Sequence, residues 1–281
     1  MNKKILILGA SGLLGQTLVE FFKQKKYIIG ALSRKSLSYA DINITTYNID
    51  ILDYELLEQV IEKYDIIINC TGQITNPISQ CLSLNTEGIT NIINAVNMHN
   101  KKLVHISSVS VYGSAKYVNE ENDLNPETPY AAIKYFADYL IKQREKDHIL
   151  LRVSNLYGQN QKKGIVNYLE KSYLSNNKNL YFNNDGSLKR YYLHAQDFSM
   201  VIDKVIKENI KGTYNIVGNE QFTIKELIAM FESILNFKFK VEYQKVPSIE
   251  NIDTIECSKL YSKISFNCEI NMKNYIKGLL K

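Results

Sequence analysis

The stretch Lys4-Ile-Leu-Ile-Leu-Gly-Ala-Ser-Gly-Leu-Leu-Gly15 decides the fold of this 281-residue chain. Its apolar run Ile5–Leu8 predicts a buried strand, and the amphipathic segment Leu13–Lys25 predicts a helix. Glycines in the connection permit a tight turn and a close approach of the backbone to a ligand. They are Gly9, Gly12 and Gly15. Because a helix N-terminus offers free N–H groups and the positive end of its dipole, the stretch predicts a site for the pyrophosphate of a dinucleotide.

Strands and helices continue to alternate along the chain. Segments with helical periodicity, such as Leu56–Lys63, separate continuously apolar runs that are typical of strands buried on both faces. The further runs are Tyr27–Leu32, Asp65–Cys70, Leu103–Ser107 and Ile149–Val153. This order predicts an α/β fold, a Rossmann-type doubly wound parallel sheet with a smaller C-terminal α/β lobe. We expect a dinucleotide-binding domain over residues 1–157 and a substrate lobe over 158–281, with segments of the two free to interleave.

Charge and composition exclude several classes of protein. The 34 basic and 29 acidic residues give a net charge of +5, and the lysines are scattered, so we expect no nucleic-acid partner. No run approaches the ~20 apolar residues of a membrane span, so no membrane association is expected. The cysteines lack CxxC spacing and the histidines lack ligand spacing, which indicates reduced thiols in a cytoplasmic protein, histidines of surface or core, and no metal site. These residues are Cys70, Cys81, Cys257, Cys268, His99, His105, His148 and His194.

The end of the second apolar run bears on which dinucleotide binds. An acid about 20 residues beyond the glycines would accept a hydrogen bond from a ribose 2′-hydroxyl. No acid occurs between Glu20 and Asp41, and Ser33-Arg34-Lys35 places cations there instead. A guanidinium binds a 2′-phosphate bidentately, so the pattern favours NADP(H) and leaves NAD(H) open. The plainer interpretation is that these cations are solvated loop charges.

A second motif, Tyr130-Ala-Ala-Ile-Lys134, lies on a helix predicted over Pro129–Arg144. Its spacing places the phenol and the ammonium on one face, one turn apart. A nearby ammonium favours phenolate, so we expect the pKa of Tyr130 to fall below its usual value of about 10. The upstream strand ends in serines, within His105-Ile-Ser-Ser-Val-Ser-Val-Tyr-Gly113, and these bring a hydroxyl toward the same place. Together the two segments predict a proton-transfer site at a carbonyl.

Five motifs in one order resemble those of the extended short-chain dehydrogenase/reductases, in the group of nucleotide-sugar epimerases, dehydratases and reductases. The motifs are GASGLLG, SSVSVYG, YAAIK, LRVSNLYG (Leu151–Gly158) and RYYLHAQD (Arg190–Asp197), and they span almost the whole chain. The resemblance implies a catalytic triad of Ser108, Tyr130 and Lys134, a nicotinamide cofactor and a nucleoside-diphosphate-sugar substrate.

The resemblance also implies which residues surround the ligands. Asp50 and Ile51 would lie beside the adenine, and Arg190 would grip the substrate diphosphate. Expected substrate contacts are Gln73, Ser108, Tyr130, Asn155 and Arg190. Expected cofactor contacts are Gly9, Ser11, Gly12, Leu13, Leu14, Gly15, Ser33, Arg34, Lys35, Asp50, Ile51, Cys70, Thr71, Gly72, Asn85, Ser107, Tyr130, Lys134 and Ser154. A homodimer joined by a four-helix contact of Glu87–Asn97 with Tyr130–Arg144 is implied as well, and Asp197 is expected to make structural hydrogen bonds.

Departures from the family pattern narrow the activity. The 4,6-dehydratases carry an Asp-Glu pair after the active-site serine or threonine, whereas Val109 and Ser110 follow Ser108 here. An apolar residue and a hydroxyl do not replace two carboxylates in acid–base chemistry, so dehydration is disfavoured. No arginine follows Arg190, and we expect lysines such as Lys245, or backbone groups, to hold the nucleotide end of the substrate.

Three functions are consistent with these motifs. The favoured one is an NADPH-dependent reductase of a nucleotide-linked 4-keto-6-deoxy sugar, in which Tyr130 donates the proton, Ser108 polarises the carbonyl and Lys134 keeps Tyr130 poised. The alternative is a nucleotide-sugar 4-epimerase that uses the same triad and keeps NAD tightly bound. A non-catalytic nucleotide-binding sensor is a more remote alternative.

Overall fold

The computed structural model describes residues 3–144, 148–246 and 249–280. The strands in chain order are β1 (Lys4–Leu8), β2 (Ile28–Leu32), β3 (Ile44–Tyr47), β4 (Ile66–Asn69), β5 (Lys102–Ser108), β6 (Ala115–Val118), β7 (Ile149–Val153), β8 (Asn155–Tyr157), β9 (Asn179–Phe182), β10 (Lys189–His194), β11 (Gly212–Ile216), β12 (Glu220–Thr223), β13 (Lys240–Tyr243) and β14 (Ile252–Ile255). The helices are α1 (Leu13–Gln24), α2 (Tyr54–Ile61), α3 (Ile78–Asn85), α4 (Glu87–Met98), α5 (Pro129–Arg144), α6 (Ile165–Leu174), α7 (Ala195–Lys207), α8 (Ile224–Leu235), α9 (Ser258–Ile264) and α10 (Met272–Gly278). A 3-10 turn, Val109–Tyr112, follows β5.

A parallel sheet of seven strands forms the centre of the molecule, in the order β11-β7-β5-β4-β1-β2-β3. Strand β1 lies between β4 and β2, with Leu6 opposite both Ile67 and Gly30. Successive side chains of β1 point to opposite faces: Ile5 and Ile7 pack in one apolar cluster, and Leu6 and Leu8 pack in the other. Because both faces are covered by helices, the predicted α/β fold with a doubly wound parallel sheet is confirmed.

Different helices cover the two faces of the large sheet. One cluster packs α1 and α7 against the sheet, and the other packs α2, α4 and α5 against its opposite face. Helix α2 begins at Tyr54, two residues before the predicted start, because the carboxylate of Asp53 caps it by accepting from Leu56 N at 3.2 Å. Helix α5 has the predicted bounds, Pro129–Arg144.

The smaller lobe is built on a separate apolar cluster. It contains the sheet β12-β10-β8 and the pair β13-β9, with α6, α8 and α10 packed against them. Between β10 and β12 the chain returns to the first domain, where α7 packs beside α1 and β11 is the edge strand of the large sheet. The two units therefore interleave in sequence from β8 onward, which lies before the expected boundary at residue 157.

Candidate active site

The glycine-rich turn has the geometry that its sequence predicts. Gly9 has a φ of +81°, and its N–H and that of Ala10 both donate to Leu32 O at 3.0 Å. A Cβ at position 15 would lie 2.3 Å from Gly9 O, so only glycine permits this approach of helix and turn. The N-cap of α1, Gly12, contributes no side-chain hydrogen bond. The first-turn N–H groups of α1 are thus free to bind an anion such as a pyrophosphate.

Two adjoining cavities start from this turn and share Gly12, Cys70 and Gln73. The smaller, of about 360 Å³, is lined by many of the predicted cofactor residues. These are Gly9, Ser11, Gly12, Ser33, Arg34, Lys35, Asp50, Ile51, Cys70, Thr71 and Gly72. The larger cavity, of about 570 Å³, is lined by further predicted residues, which are Leu13, Leu14, Gly15, Gln73, Ser107, Ser108, Tyr130, Ser154, Asn155 and Arg190. Lys134 and Asn85 lie behind the cavity walls, where both are buried.

Buried polar atoms without partners support a polar ligand in the larger cavity. Ser107 Oγ and Ser154 Oγ are buried and make no hydrogen bond with any residue that the structure describes. Both serines line the cavity beside the N-terminus of α1. Since buried hydroxyls are normally satisfied, a ligand rich in hydrogen-bonding groups, such as a dinucleotide, fits these walls.

The outer end of the smaller cavity combines a cation with a carboxylate. Arg34 Nη1 lies 3.8 Å from Asp50 Oδ2, and Ser33 Oγ accepts from Lys35 N at 3.0 Å. The sequence interpretation considered the cations alone, because Asp50 comes much later in the chain. The structure places this carboxylate beside the guanidinium that the sequence pattern assigns to a 2′-phosphate.

Ser108 and Tyr130 both line the larger cavity. Ser108 Oγ accepts from Ser110 N at 3.2 Å and from Ser110 Oγ at 2.8 Å, so its own hydrogen can be donated to a ligand. Tyr130 Oη donates to Gln73 Oε1 at 2.5 Å, and Gln73 Nε2 donates to Ile106 O at 3.0 Å. Gln73 therefore holds the phenol hydrogen at the place where a substrate oxygen would approach.

The expected lowering of the Tyr130 pKa is wrong for this state of the protein. Burial of the phenol raises its pKa above the usual value, as do the nearby Cys81 and Glu250, and a hydrogen bond with Ser108 opposes the rise. Burial lowers the pKa of Lys134 to about 8, partly opposed by Asp138. The reason for the discrepancy is that spacing along a helix reveals proximity but does not reveal the cost of removing both groups from water.

Lys134 contacts a histidine that the sequence analysis did not assign to the site. Its Nζ lies 3.3 Å from His105 Nε2, 3.3 Å from Asn85 Oδ1 and 3.0 Å from Ile106 O. The sequence offered one signal for this contact: His105 precedes Ser107 by two residues on β5, and residues two apart lie on the same side of a strand.

The far end of the larger cavity is predominantly basic. Arg190 Nη2 donates to Ile249 O at 3.0 Å and lies 4.0 Å from Glu250 Oε2. Sequence reasoning missed the other cations of this wall and the acid, which are Lys162, Lys163, Lys189 and Glu250. Lys245, which was expected to help hold the nucleotide, is exposed and lies outside the lining residues.

Other expectations concern residues outside the two cavities. Asp197 is buried and its Oδ2 accepts from Ile270 N at 3.1 Å, which confirms its structural hydrogen bonding. Among residues 3–144, 148–246 and 249–280, no group of three or more His, Cys, Asp or Glu side chains could hold a metal ion. Within the same ranges no helix has both the length and the apolar character needed to cross a bilayer.

Comparison with known proteins gives the family. A model of the NAD dependent epimerase/dehydratase family matches residues 5–217. A dTDP-D-glucose 4,6-dehydratase of Dictyostelium discoideum is 28% identical over 253 residues, which are 76% of this chain and 58% of the relative. A proposed UDP-glucose 4-epimerase of Methanocaldococcus jannaschii is 25% identical over 98% of this chain and 97% of its own length.

Solved structures agree in fold over the whole chain. A UDP-glucuronic acid 4-epimerase from Bacillus cereus, in complex with UDP-glucuronic acid and NAD, superposes with a TM-score of 0.86 at 22% identity, covering 98% of this chain and 96% of the other. Further structures of similar fold are also complexes with NAD. Because the family model matches residues 5–217 of 281, this chain belongs to the NAD dependent epimerase/dehydratase family.

Proposed function

We propose that this chain transfers hydride reversibly at the sugar ring of a nucleoside-diphosphate sugar, and that 4-epimerisation with NAD is the reaction best supported. One observation carries the proposal: Ser108 and Tyr130 face a cavity that runs from the N-terminus of α1 to Arg190. This single space suits a nicotinamide at one end, a sugar in the middle and a diphosphate at the basic end. Positions 109 and 110 hold valine and serine where dehydratases carry an Asp-Glu pair, which disfavours dehydration.

The residues present fit a bound NAD. The free N–H groups at the start of α1 would hold its pyrophosphate, and Asp50 and Ile51 would lie beside its adenine. Ser107 and Ser154 would find their missing hydrogen-bond partners on the nicotinamide half. When bound, the cofactor supplies an acceptor and donor of hydride at the sugar carbon.

Proton transfer and orientation would come from the protein. Tyr130 would exchange the hydroxyl proton of the sugar, and Ser108 would donate a hydrogen bond to the same oxygen. Gln73 Oε1, which accepts a hydrogen bond from the phenol at 2.5 Å, would give up this bond when the substrate oxygen takes its place. Arg190 would exchange Ile249 O for phosphate oxygens, since a guanidinium binds these more strongly than it binds a neutral carbonyl.

Cofactor content and sugar interconversion test this proposal. We expect the purified protein to retain NAD and to interconvert a UDP-hexose with its 4-epimer without consuming added cofactor. Tyr130→Phe should lower turnover by about 10²- to 10⁴-fold and leave NAD binding intact, because only the proton transfer is lost. The control is Tyr181→Phe, which alters an exposed tyrosine on β9. Undiminished turnover in Tyr130→Phe would refute the assignment.

A reductase of nucleotide 4-keto sugars is the second candidate. It is favoured by Arg34 and Lys35, which line the smaller cavity where a 2′-phosphate would sit. This candidate predicts NADPH oxidation when a nucleotide 4-keto sugar is added. It also predicts that Arg34→Leu raises KM for NADPH about tenfold and hardly changes KM for NADH, because a charge-assisted contact to the phosphate is lost. Equal KM values for the two cofactors would remove the preference for NADPH, and no oxidation of either cofactor with a nucleotide 4-keto sugar would exclude the reductase.

We also propose a homodimer, through α5 and the neighbouring α3 rather than through α4. Tyr135, Phe136 and Tyr139 on α5 are 40%, 45% and 52% exposed, and Leu82 on α3 is 50% exposed. The exposed side of α4 is mostly polar, with residues such as Asn94. Exposed aromatic side chains grouped on one helix are typical of an interface. Light scattering should give twice the mass of the chain, and Phe136→Asp should give the single mass; a monomeric unmodified protein removes the proposal.

The free thiols support a cytoplasmic location for this activity. Cys81 is buried, and Cys70, Cys257 and Cys268 are partly buried; none of the four takes part in a disulfide in the structure. Proteins of oxidising compartments usually pair such residues. Fractionation of the native cell should recover the activity with the cytoplasmic enzymes, and recovery from an extracellular or periplasmic fraction would contradict this location.

A further inference from the structure

The buried neighbours of Lys134 determine which hydrogen bonds its Nζ atom can make. Lys134 and His105 are both fully buried, and the Nζ atom contacts three groups. Ile106 O lies at 3.0 Å and Asn85 Oδ1 at 3.3 Å, and both are hydrogen-bond acceptors. The third neighbour, His105 Nε2, lies at 3.3 Å and is a donor or an acceptor according to the tautomer of the ring.

Asn69 fixes that tautomer. Thr71 donates to Asn69 Oδ1 twice, from its backbone N at 3.0 Å and from its Oγ1 at 2.6 Å. A backbone N–H is only a donor, so this side of the Asn69 amide must be the oxygen. The NH2 group then faces His105 Nδ1 at 3.1 Å and donates to it. His105 Nδ1 is consequently unprotonated, and the hydrogen of the neutral ring lies on Nε2.

Asn85 is oriented in the same way. Its Nδ2 donates to Gly72 O at 3.0 Å and to Cys81 O at 2.9 Å, which leaves Oδ1 to accept from Lys134. Lys134 therefore faces two acceptors and one N–H donor. An amine has two N–H groups and one lone pair and satisfies all three neighbours, whereas an ammonium would direct an N–H toward the N–H of His105.

We propose that His105 is a positioning residue, which favours the neutral amine form of the Lys134 side chain by donating its Nε2–H to the lone pair of Nζ. The inference rests on the proposed function only in that Lys134 belongs to the proposed catalytic triad. Uptake of a proton from solvent replaces the lone pair by a third N–H and removes the contact with His105. The ammonium keeps Ile106 O and Asn85 Oδ1 as acceptors for two of its three N–H groups.

Burial and neighbouring ionisable groups shift the pKa values of Lys134 and His105. Burial lowers the pKa of Lys134, and Asp138 together with the thiols of Cys70 and Cys81 partly restores it. Burial, Lys134 and His148 all lower the pKa of His105, which keeps the ring neutral. A neutral ring is the form that the contact with Asn69 requires.

The tautomer is measurable by NMR on the unmodified cofactor-free protein with ¹⁵N-labelled histidine. The His105 signals, identified by their loss in His105→Gln, should show an unprotonated Nδ1 and a protonated Nε2 at neutral pH. A protonated Nδ1, or a doubly protonated ring, would overturn the proposal. This measurement does not depend on turnover, so a protein with the expected tautomer that fails to act on nucleotide sugars contradicts the proposed function alone.

A second measurement addresses the lysine. The pKa of Lys134 is followed by ¹³C NMR of lysine Cε, with the signal assigned through Lys134→Met. In His105→Gln the carboxamide oxygen can turn to Nζ and favour the ammonium, so the pKa should rise by about one pH unit or more. The control His99→Gln removes a histidine that contacts Glu58 elsewhere and should leave it unchanged. An unchanged or lower pKa in folded His105→Gln would overturn the proposal; if that variant does not fold, the tautomer of the unmodified protein decides.

Discussion

Lys134 and Arg152 are both basic side chains with no exposed surface. Lys134 belongs to α5 and Arg152 contacts it, but the groups around the two side chains differ in kind. Lys134 meets neutral groups, and burial lowers its pKa to about 8. Arg152 Nε donates to Asp138 Oδ2 at 3.1 Å; burial alone would lower the pKa of Arg152, but Asp138 and Tyr112 raise it overall. The Lys134 side chain can change its charge near neutral pH, whereas Arg152 stays charged. On α5, Lys134 is therefore a titratable group, and Asp138, one turn later, pairs with the permanent charge of Arg152.

Removing the amine of Lys134 should affect turnover most. Lys134→Met keeps a chain of similar length but takes away the group that accompanies Tyr130, and loss of a participant in proton transfer costs about 10²- to 10⁴-fold in rate. The measurement is the initial rate of nucleotide-sugar conversion at saturating NAD. Lys142→Met, on the last turn of the same helix, is the control. A Lys134→Met rate within a few-fold of the unmodified rate would contradict the assigned role.

Asp138→Asn should affect stability instead. The substitution leaves the buried guanidinium of Arg152 without its counter-charge, and breaking a buried ion pair in this way costs about 3–5 kcal/mol of unfolding free energy. Urea unfolding followed by circular dichroism measures the loss. The double variant Asp138→Leu/Arg152→Met removes both charges and should recover most of the stability. A double variant as unstable as the single one would show that the pair does not act as a unit.

Burial of Lys134 also predicts a pH dependence of stability. Its pKa is about 8 in the folded protein and 10.5 in the absence of the fold, so the unfolded chain binds more protons between these values. Stability therefore rises with pH in this window, by on the order of 3 kcal/mol when the shift is converted at 1.36 kcal/mol per unit. Urea midpoints of the unmodified protein and of Lys134→Met, compared from pH 8 upward, isolate this contribution from that of the buried tyrosines. Parallel curves would contradict it.

Sequence predicted the elements whose signals are local. Pro129 and the turn before it mark the start of α5, and its bounds agree with the structure. Strand β11, Gly212–Ile216, was missed because its sequence, Gly-Thr-Tyr-Asn-Ile, mixes polar with apolar residues. Its polar members are explained only by the fold, where Tyr112 Oη donates to Asn215 Oδ1 at 2.8 Å. Periodicity does not report a polar side chain that is buried against a partner 103 residues away.

In the candidate site, too, sequence reasoning located residues with local signals and missed contacts between distant segments. Motif residues were placed on the two cavities, because glycine turns and the Tyr130–Lys134 spacing act within a few residues. Contacts between distant segments were missed, such as that of His105 with Lys134 and that of Glu250 with the substrate cavity. The direction of the Tyr130 pKa shift could not be predicted from the sequence either, because it depends on burial in the folded protein.

Arg34 is a basic residue near the surface, and its substitution should have the smallest effect on stability. Its side chain is 46% exposed and its distance to Asp50 is 3.8 Å, so water screens the pair. Exposed ion pairs contribute about 0–1 kcal/mol, and Arg34→Leu should change the unfolding free energy by no more than this. Urea unfolding at low and high salt checks the value. Because Arg34 lines the cofactor cavity, a small effect on stability would mean that any change in cofactor binding comes from lost contact with the ligand. A loss approaching that of Asp138→Asn would show instead that Arg34 supports the fold, as Arg152 does.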